Sequence, residues 1–362
     1  MARLTWLGTT SAYATASNWT PIGIVNSTYR WTLSGSGTSN YYLELAGGGN
    51  PSLSQPSAVQ ENGSALTGGT AGALTASQWG WGNVDALGFS TIYVRLAGSS
   101  DPDSQAIDYV TYTRIPVSND DVRFPAGAGD VAGTDQSAVA LASFIVEEGF
   151  SEAIASSTTW LRITTSRFEF NGSGSSAAYI DLAASAVSPQ VFGTPSGGTG
   201  VSGLNLIGSA ISTVNCVDGS VGIAQRHQES ATVSTVRVIG SQAIVTIGAG
   251  VSLTSLYVVQ GSAYLRCAAT TVTTWGGEVR TQETGAITTL NAYGGVVYPN
   301  STGTITTLTV DGAIVEFTTS AVARTVTNLK HNSGTLHYDP AYVTVTTRQA
   351  PDNPALLVGS AP

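Results

Sequence analysis

The chain has 362 residues, 10% of them charged and 42% apolar, with 42 glycines and a formal net charge of −9. Lys330 is its only lysine, so it lacks the cationic clusters that hold phosphate backbones, which excludes a nucleic-acid partner. The apolar share, with 7 Trp and 14 Tyr, excludes a solvated coil, and no run reaches the roughly 18 apolar residues of a membrane-crossing helix.

One Met, one Lys and an abundance of Thr and Val predict an all-β chain. Residues 1–25 form an N-terminal cap or anchor. This stretch has no continuous apolar segment of the secretory type, which predicts synthesis in a cytosol. Trp6 and Trp19 are expected to cap a solenoid or close a subunit interface, and together with Trp31 are the candidate docking residues. Residues 26–116 read as an inserted antiparallel β-sandwich. STYRWTLSGSG, NYYLELAG, GFSTIYVRLAG and AIDYVTYTRIP alternate with period two, separated by Gly-, Pro- and Asn-rich turns. Trp79, Trp81, Phe89 and Tyr93 are its expected core. At Asn119–Pro125 the chain enters a parallel β-helix predicted over 117–340, with a Gly/Pro-rich loop at 188–203. Residues 341–362 form a C-terminal cap or arm, since an open solenoid end exposes an unpaired edge.

The strongest signal is a repeat. Short β-branched runs end at Gly240, Gly261, Gly276, Gly294, Gly312 and Gly334, spaced by 21, 15, 18, 18 and 22 residues. AITTLNAYGGVVYPNSTG and TITTLTVDGAIVEFTTSA are almost superimposable consecutive copies. A unit of about 20 residues cannot bury an apolar face alone and must stack on its neighbours. Strand, Gly turn and strand make one coil of a right-handed parallel β-helix, or of a similar β-solenoid.

Chemistry is sparse along this repeat. Its acids are Asp218, Glu229, Glu278, Glu283, Asp311, Glu316 and Asp339. Glu278 and Glu316 are expected on one outward face about 10 Å apart by coil rise, beyond the spacing most glycosidases use. An Arg280–Glu316 surface ladder is the plainer account. His227, His331 and His337 make no ligand set. Cys216 and Cys267 lie about two coils apart, too far for a disulfide. Asp85, Asp101 and Asp103 are a weak calcium candidate, a solvated turn being preferred. No nucleophile elbow, HExxH or phosphate-cradling loop is present, so neither a catalytic set nor a cofactor is expected.

The outward positions two and four residues beyond each glycine carry more information. They are Glu278 and Arg280, Val296 and Tyr298, Ile314 and Glu316, Leu336 and Tyr338. Apolar residues recur where a lone rod should be polar, which marks Val296, Tyr298, Ile314, Leu336 and Tyr338 as a candidate subunit interface. A slip of one residue would turn these side chains inward instead. A cyclic trimer is the simplest closed arrangement that buries one stripe per chain.

The opening W-L-G-T-T…A-S-N-W-T-P, with N-D-D-V-R-F-P about a hundred residues later, resembles the start of tailed-phage virion proteins with parallel β-helix bodies. The block GGGNPSLSQP…ASQWGWGNVDALGFSTIYVRLAGSSDPD…DYV resembles a small β-domain carried by some of them. The G-x-ITTL coils are similar to their rods. The resemblance implies a non-enzymatic homotrimer on the outer surface of the virion, a capsid decoration or head-fibre protein whose partner is the major capsid protein. Its alternative is a tail fibre or spike that binds host-surface glycans, and a polysaccharide-degrading enzyme is the remaining option.

Overall fold

Buried and outward side chains alternate along strands such as Ala231–Val238 and Val251–Val258 except at one central pair of consecutive outward residues, because successive residues of an extended chain point to opposite sides. The computed structural model describes residues 2–24, 27–104, 110–183, 186–195, 202–226 and 228–351. It is all-β, with 2% helix, and contains a parallel β-solenoid of about 11 turns together with small antiparallel sheets near the N-terminus. The chain divides into two units, Met1–Arg123 and Phe124–Pro362.

In the first unit the strand Arg3–Thr5 pairs in parallel with residues 121–123, Arg3 opposite Asp121 and Thr5 opposite Arg123. Everything between them is therefore an insertion between two neighbouring strands. Two sheets fill it. One is ordered Ile22–Gly23, Val110–Thr113, Ala58–Glu61, Ser64–Ala65. The other is ordered Tyr29–Leu33, Tyr41–Leu45, Thr91–Arg95, Gln78–Gly82, Thr67–Gly68. All pairs are antiparallel except the last. Trp31, Leu43, Trp79, Ile92 and Val94 from one sheet meet Val59, Val110 and Tyr112 from the other in a single core, which makes the insertion a β-sandwich. Ile22–Gly23, read from sequence as part of the cap, is an edge strand of this sandwich. Of the expected core aromatics, Tyr93 and Trp79 are buried, but Trp81 and Phe89 are only half-buried.

The second unit stacks its coils in register. Val245, Ala263, Val279, Val297, Val315 and Leu336 form one ladder. Leu256, Val272, Leu290, Leu308 and Leu329 form a second. A third contains Leu253, Ala269, Ile287, Ile305 and Val326. All are buried except Leu336 on the last coil. Between the second and third ladders, two consecutive outward residues such as Thr254 and Ser255 bend the strand, so Leu253 and Leu256 both face inward. Earlier coils are filled by aromatic rings, with Phe144 directly opposite Phe168 and their rings parallel at 5.6 Å.

The corner after the second ladder needs glycine. Gly277 has φ +65°, and a Cβ there would sit 2.3 Å from the carbonyl oxygen of Gly261 on the coil below. Only a residue without a side chain can take that conformation at that approach.

Candidate functional site

The aromatic residues expected to dock are internal. Trp6 and Trp19 are fully buried, pack edge to face at 5.0 Å and cluster with Tyr13. The Trp19 indole N–H donates to the Tyr13 carbonyl at 3.0 Å. Trp31 lies in the sandwich core. These three rings hold the first unit together and present no surface to a partner, which corrects their assignment as docking residues. Hydrophobic burial outweighed exposure because each ring had enclosing strands to pack against.

The calcium candidate does not assemble. Asp85 accepts hydrogen bonds from the Ser34 hydroxyl at 2.8 Å and the Gly35 amide at 2.7 Å. Asp103 instead accepts from the Trp31 amide at 3.0 Å, and Asp101 from the Asp103 amide at 2.9 Å. Asp85 and Asp103 are thus drawn to different parts of the segment 31–35, and only Asp101 bonds within its own turn. Among the described residues no group of three or more His, Cys, Asp or Glu could hold a metal ion.

On the solenoid the outward residues after the corner glycines form two files. One runs Ile244, Ser262, Glu278, Val296, Ile314, Thr335, and the other Thr246, Tyr264, Arg280, Tyr298, Glu316, His337. Val296 and Tyr298 do face outward, both half-buried, and Ile314 is exposed at 43%. Leu336 does not: it lies opposite Val315 in the inward ladder. The cause is a one-residue slip. Gly334 stacks on Ala313 rather than on Gly312, so counting from glycine to glycine misplaces this coil. Tyr338 lies beyond the paired part of the strand, with the Arg348 guanidinium over its ring at 5.7 Å.

Glu278 and Glu316 on this face are both already paired. Arg280 bonds Glu278 within its own coil and lies 4.1 Å from the centre of the Tyr298 ring. Tyr298 thus separates Arg280 from Glu316, and the expected Arg280–Glu316 ladder is replaced by a cation–π stack. Glu316 pairs instead with His337 at 2.7 Å. The Thr318 hydroxyl and His337 together hold its carboxyl below the usual range, against a smaller desolvation effect in the opposite direction. His331 approaches the Gly334 carbonyl at 3.3 Å. His227, the Gly197–Gly200 run and the tail 352–362 lie outside the described residues.

A third outward file was missed from sequence. It consists of the residues that follow the buried ladder Val191, Cys216, Val238, Val258, Thr274, Ala292. These are Phe192, Val217, Ile239, Val259, Trp275 and Tyr293, one on each of six successive coils. Five of the six are exposed, Trp275 most of all at 52%. Tyr257 and Trp275 lie near-parallel with centroids 5.9 Å apart, and Trp275 and Tyr293 likewise at 6.5 Å. A shallow cavity of about 320 Å³ is bounded by Arg237, Ile239, Tyr257, Val259 and Trp275. The signal was present: Ile239, Trp275 and Tyr293 each immediately precede one of the repeat glycines, whereas attention to the residues after the glycine passes over them.

A larger cavity of about 520 Å³ lies at another corner, lined among others by Arg226, Glu229, Arg266 and Glu283. Its cations are already occupied, Arg226 by the Tyr179 hydroxyl at 3.0 Å and Arg266 by Gln282 and Glu283. No protein-family model, curated protein or solved structure matches the chain.

Proposed function

We propose that this chain is an architectural, non-enzymatic component of a tailed-phage virion, a homotrimeric β-solenoid bound to the outer capsid surface as a decoration or head-fibre protein. The observation that carries the architectural part is the set of uninterrupted inward ladders from Val245 to Leu336. Every coil lends its main-chain hydrogen bonds and apolar floor to the next, which gives stiffness without a hinge. The placement on a virion rests on the sequence resemblance alone. Self-association is supported by Ile244, Val296 and Ile314, apolar residues on one outward file where a solitary solenoid gains nothing from them.

Light scattering of the purified protein should give the mass of three chains, and Ile314→Asp should lower it to one without changing the circular dichroism. A monomeric parent protein would remove the trimer. Immunogold labelling of virions, with copies counted per particle, addresses location: hundreds of copies on the head fit decoration, and a few to tens at the tail favour the fibre or spike reading. That second reading draws on the exposed aromatic file, whose chemistry suits a sugar.

A further inference from the structure

We propose that the Phe192–Tyr293 file and its neighbouring polar file form a track that binds an extended, carboxylate-bearing saccharide. The inference deepens the glycan-binding alternative by naming the class of sugar, and it does not depend on the capsid reading. The first argument is shape. Six coils at about 4.8 Å per step make a strip roughly 24 Å long, one side chain wide. A linear polymer laid along the coil axis uses all of it.

The second argument is chemistry. Two residues away, and facing the same way, stand Asn215, Arg237, Tyr257 and Asn291, with the buried Thr273 in register between the last two. A hydrogen-bonding file thus runs beside an apolar one, at roughly 7 Å, the distance of two residues along a strand. A pyranose chain has the same division, with C–H faces that pack on aromatic rings and hydroxyls around the rim. Tyr257, Trp275 and Tyr293 supply the rings.

The third argument selects the charge and disfavours a second copy of this chain. Arg237 is exposed at the cavity edge, and its guanidinium has no ionic or hydrogen-bonding partner among the described residues. Its coil, from Ala231 to Ile247, contains no Asp or Glu. A parallel in-register assembly through this strip would gather Arg237 side chains at one height with no carboxylate to answer them. An acidic sugar supplies that carboxylate, and guanidinium–carboxylate bonds are strong and directional.

The test uses the full chain over surfaces coated with polygalacturonate, hyaluronate or polysialate, with dextran as the neutral control. A protein of net charge −9 is repelled by such polyanions overall, so binding to any of them reports a local site. The expected result is binding to at least one acidic polymer and none to dextran, weakened roughly tenfold or more by Trp275→Ala and by Arg237→Ala. Both side chains are exposed, so thermal unfolding should not change, and a control variant Thr270→Ala should bind as the parent does. Absence of binding to all three acidic polymers overturns the proposal, as does binding that Trp275→Ala leaves intact. A fall in oligomer mass caused by Trp275→Ala would also overturn it, because the strip would then be a seam between copies. The Ile314→Asp mass measurement fails or succeeds independently.

Discussion

The two units solve burial in opposite ways. In the sandwich and its N-terminal neighbour each large side chain has a unique setting: Trp19 fits only against Trp6 and Tyr13, and Arg114 only against Asp120. In the solenoid each side chain meets near copies of itself one coil above and below, Leu290 between Val272 and Leu308. Stability in the first is held in a few irreplaceable contacts. In the second it is a sum of nearest-neighbour terms, so equivalent ladder positions carry similar costs from coil to coil, with a severe one wherever the repeated backbone leaves no room.

The largest effect expected from this contrast is at Asp120. Its carboxylate is buried, accepts both guanidinium N–H bonds of Arg114 at 2.5 and 3.0 Å, and also accepts the amides of Ala2 and Val117. Asp120→Ala leaves a buried cation unpaired, which costs about 3–5 kcal/mol. Five of the seven tryptophans, Trp6, Trp19, Trp31, Trp79 and Trp81, belong to the first unit, so the loss should show in a denaturation curve followed by tryptophan fluorescence. An unchanged midpoint would mean that the pair contributes nothing net.

Next in size is a chemical reading confined to the solenoid, where both cysteines lie. Burial, aided by Asp218 for Cys216, pushes each thiol up to about 12 from an ordinary 9.0. At pH 8 the thiolate fraction falls about a thousandfold, so Ellman's reagent should label neither cysteine until the coils open. Thiol exposure then reports the second unit while fluorescence reports mainly the first. Since folding raises these values, the thiols' contribution is complete below about pH 9 and fades as pH climbs towards 12. Rapid labelling of native protein at pH 8 would refute the burial of either cysteine.

A smaller but sharper effect belongs to the corner. Gly277→Ala combines a left-handed φ with a 2.3 Å approach to a main-chain oxygen, and should cost at least about 3 kcal/mol. Gly127 has a similar φ of +76° but open space around it, so Gly127→Ala should cost only about 1 kcal/mol. Equal shifts in the two midpoints, followed by thiol exposure, would show that conformational strain alone accounts for the glycine.

The legibility of the sequence follows the same division. Coils were readable because each inward residue repeats its neighbour's chemistry, so Val279, Val297 and Val315 announce a ladder to anyone aligning the glycines. The sandwich was readable as alternating strands, but Trp31 among its buried rings carries no sequence mark separating core from surface. Burial there depends on strands distant in the chain, as Trp31 on Val59 and Tyr112. The aromatic file was legible in principle, one residue before the glycine. The charge pairs were not, because whether Arg280 reaches Glu278 or Glu316 depends on Tyr298 filling the step between them.

The smallest prediction concerns the slipped coil, where sequence and structure give opposite answers. Counting from Gly334 as the equivalent of Gly312 puts Leu336 outside and Thr335 inside. The observed register pairs Leu336 with Val315 and Thr335 with Ile314, and Gly334 has its close approach to Ala313. Leu336→Ala should therefore cost about 1 kcal/mol, less than a fully enclosed leucine because this side chain is only half-buried. Thr335→Ala should lie within about 0.5 kcal/mol of the parent, as exposed substitutions do. If the threonine proves the more costly of the two in thiol-monitored unfolding, the glycine-to-glycine frame holds to the end of the solenoid. The outward file after the corner would then end in Leu336 rather than Thr335, extending the apolar run of Val296 and Ile314 by one coil. The observed slip instead ends that run at Ile314, which limits any subunit seam on this face to the coils before it.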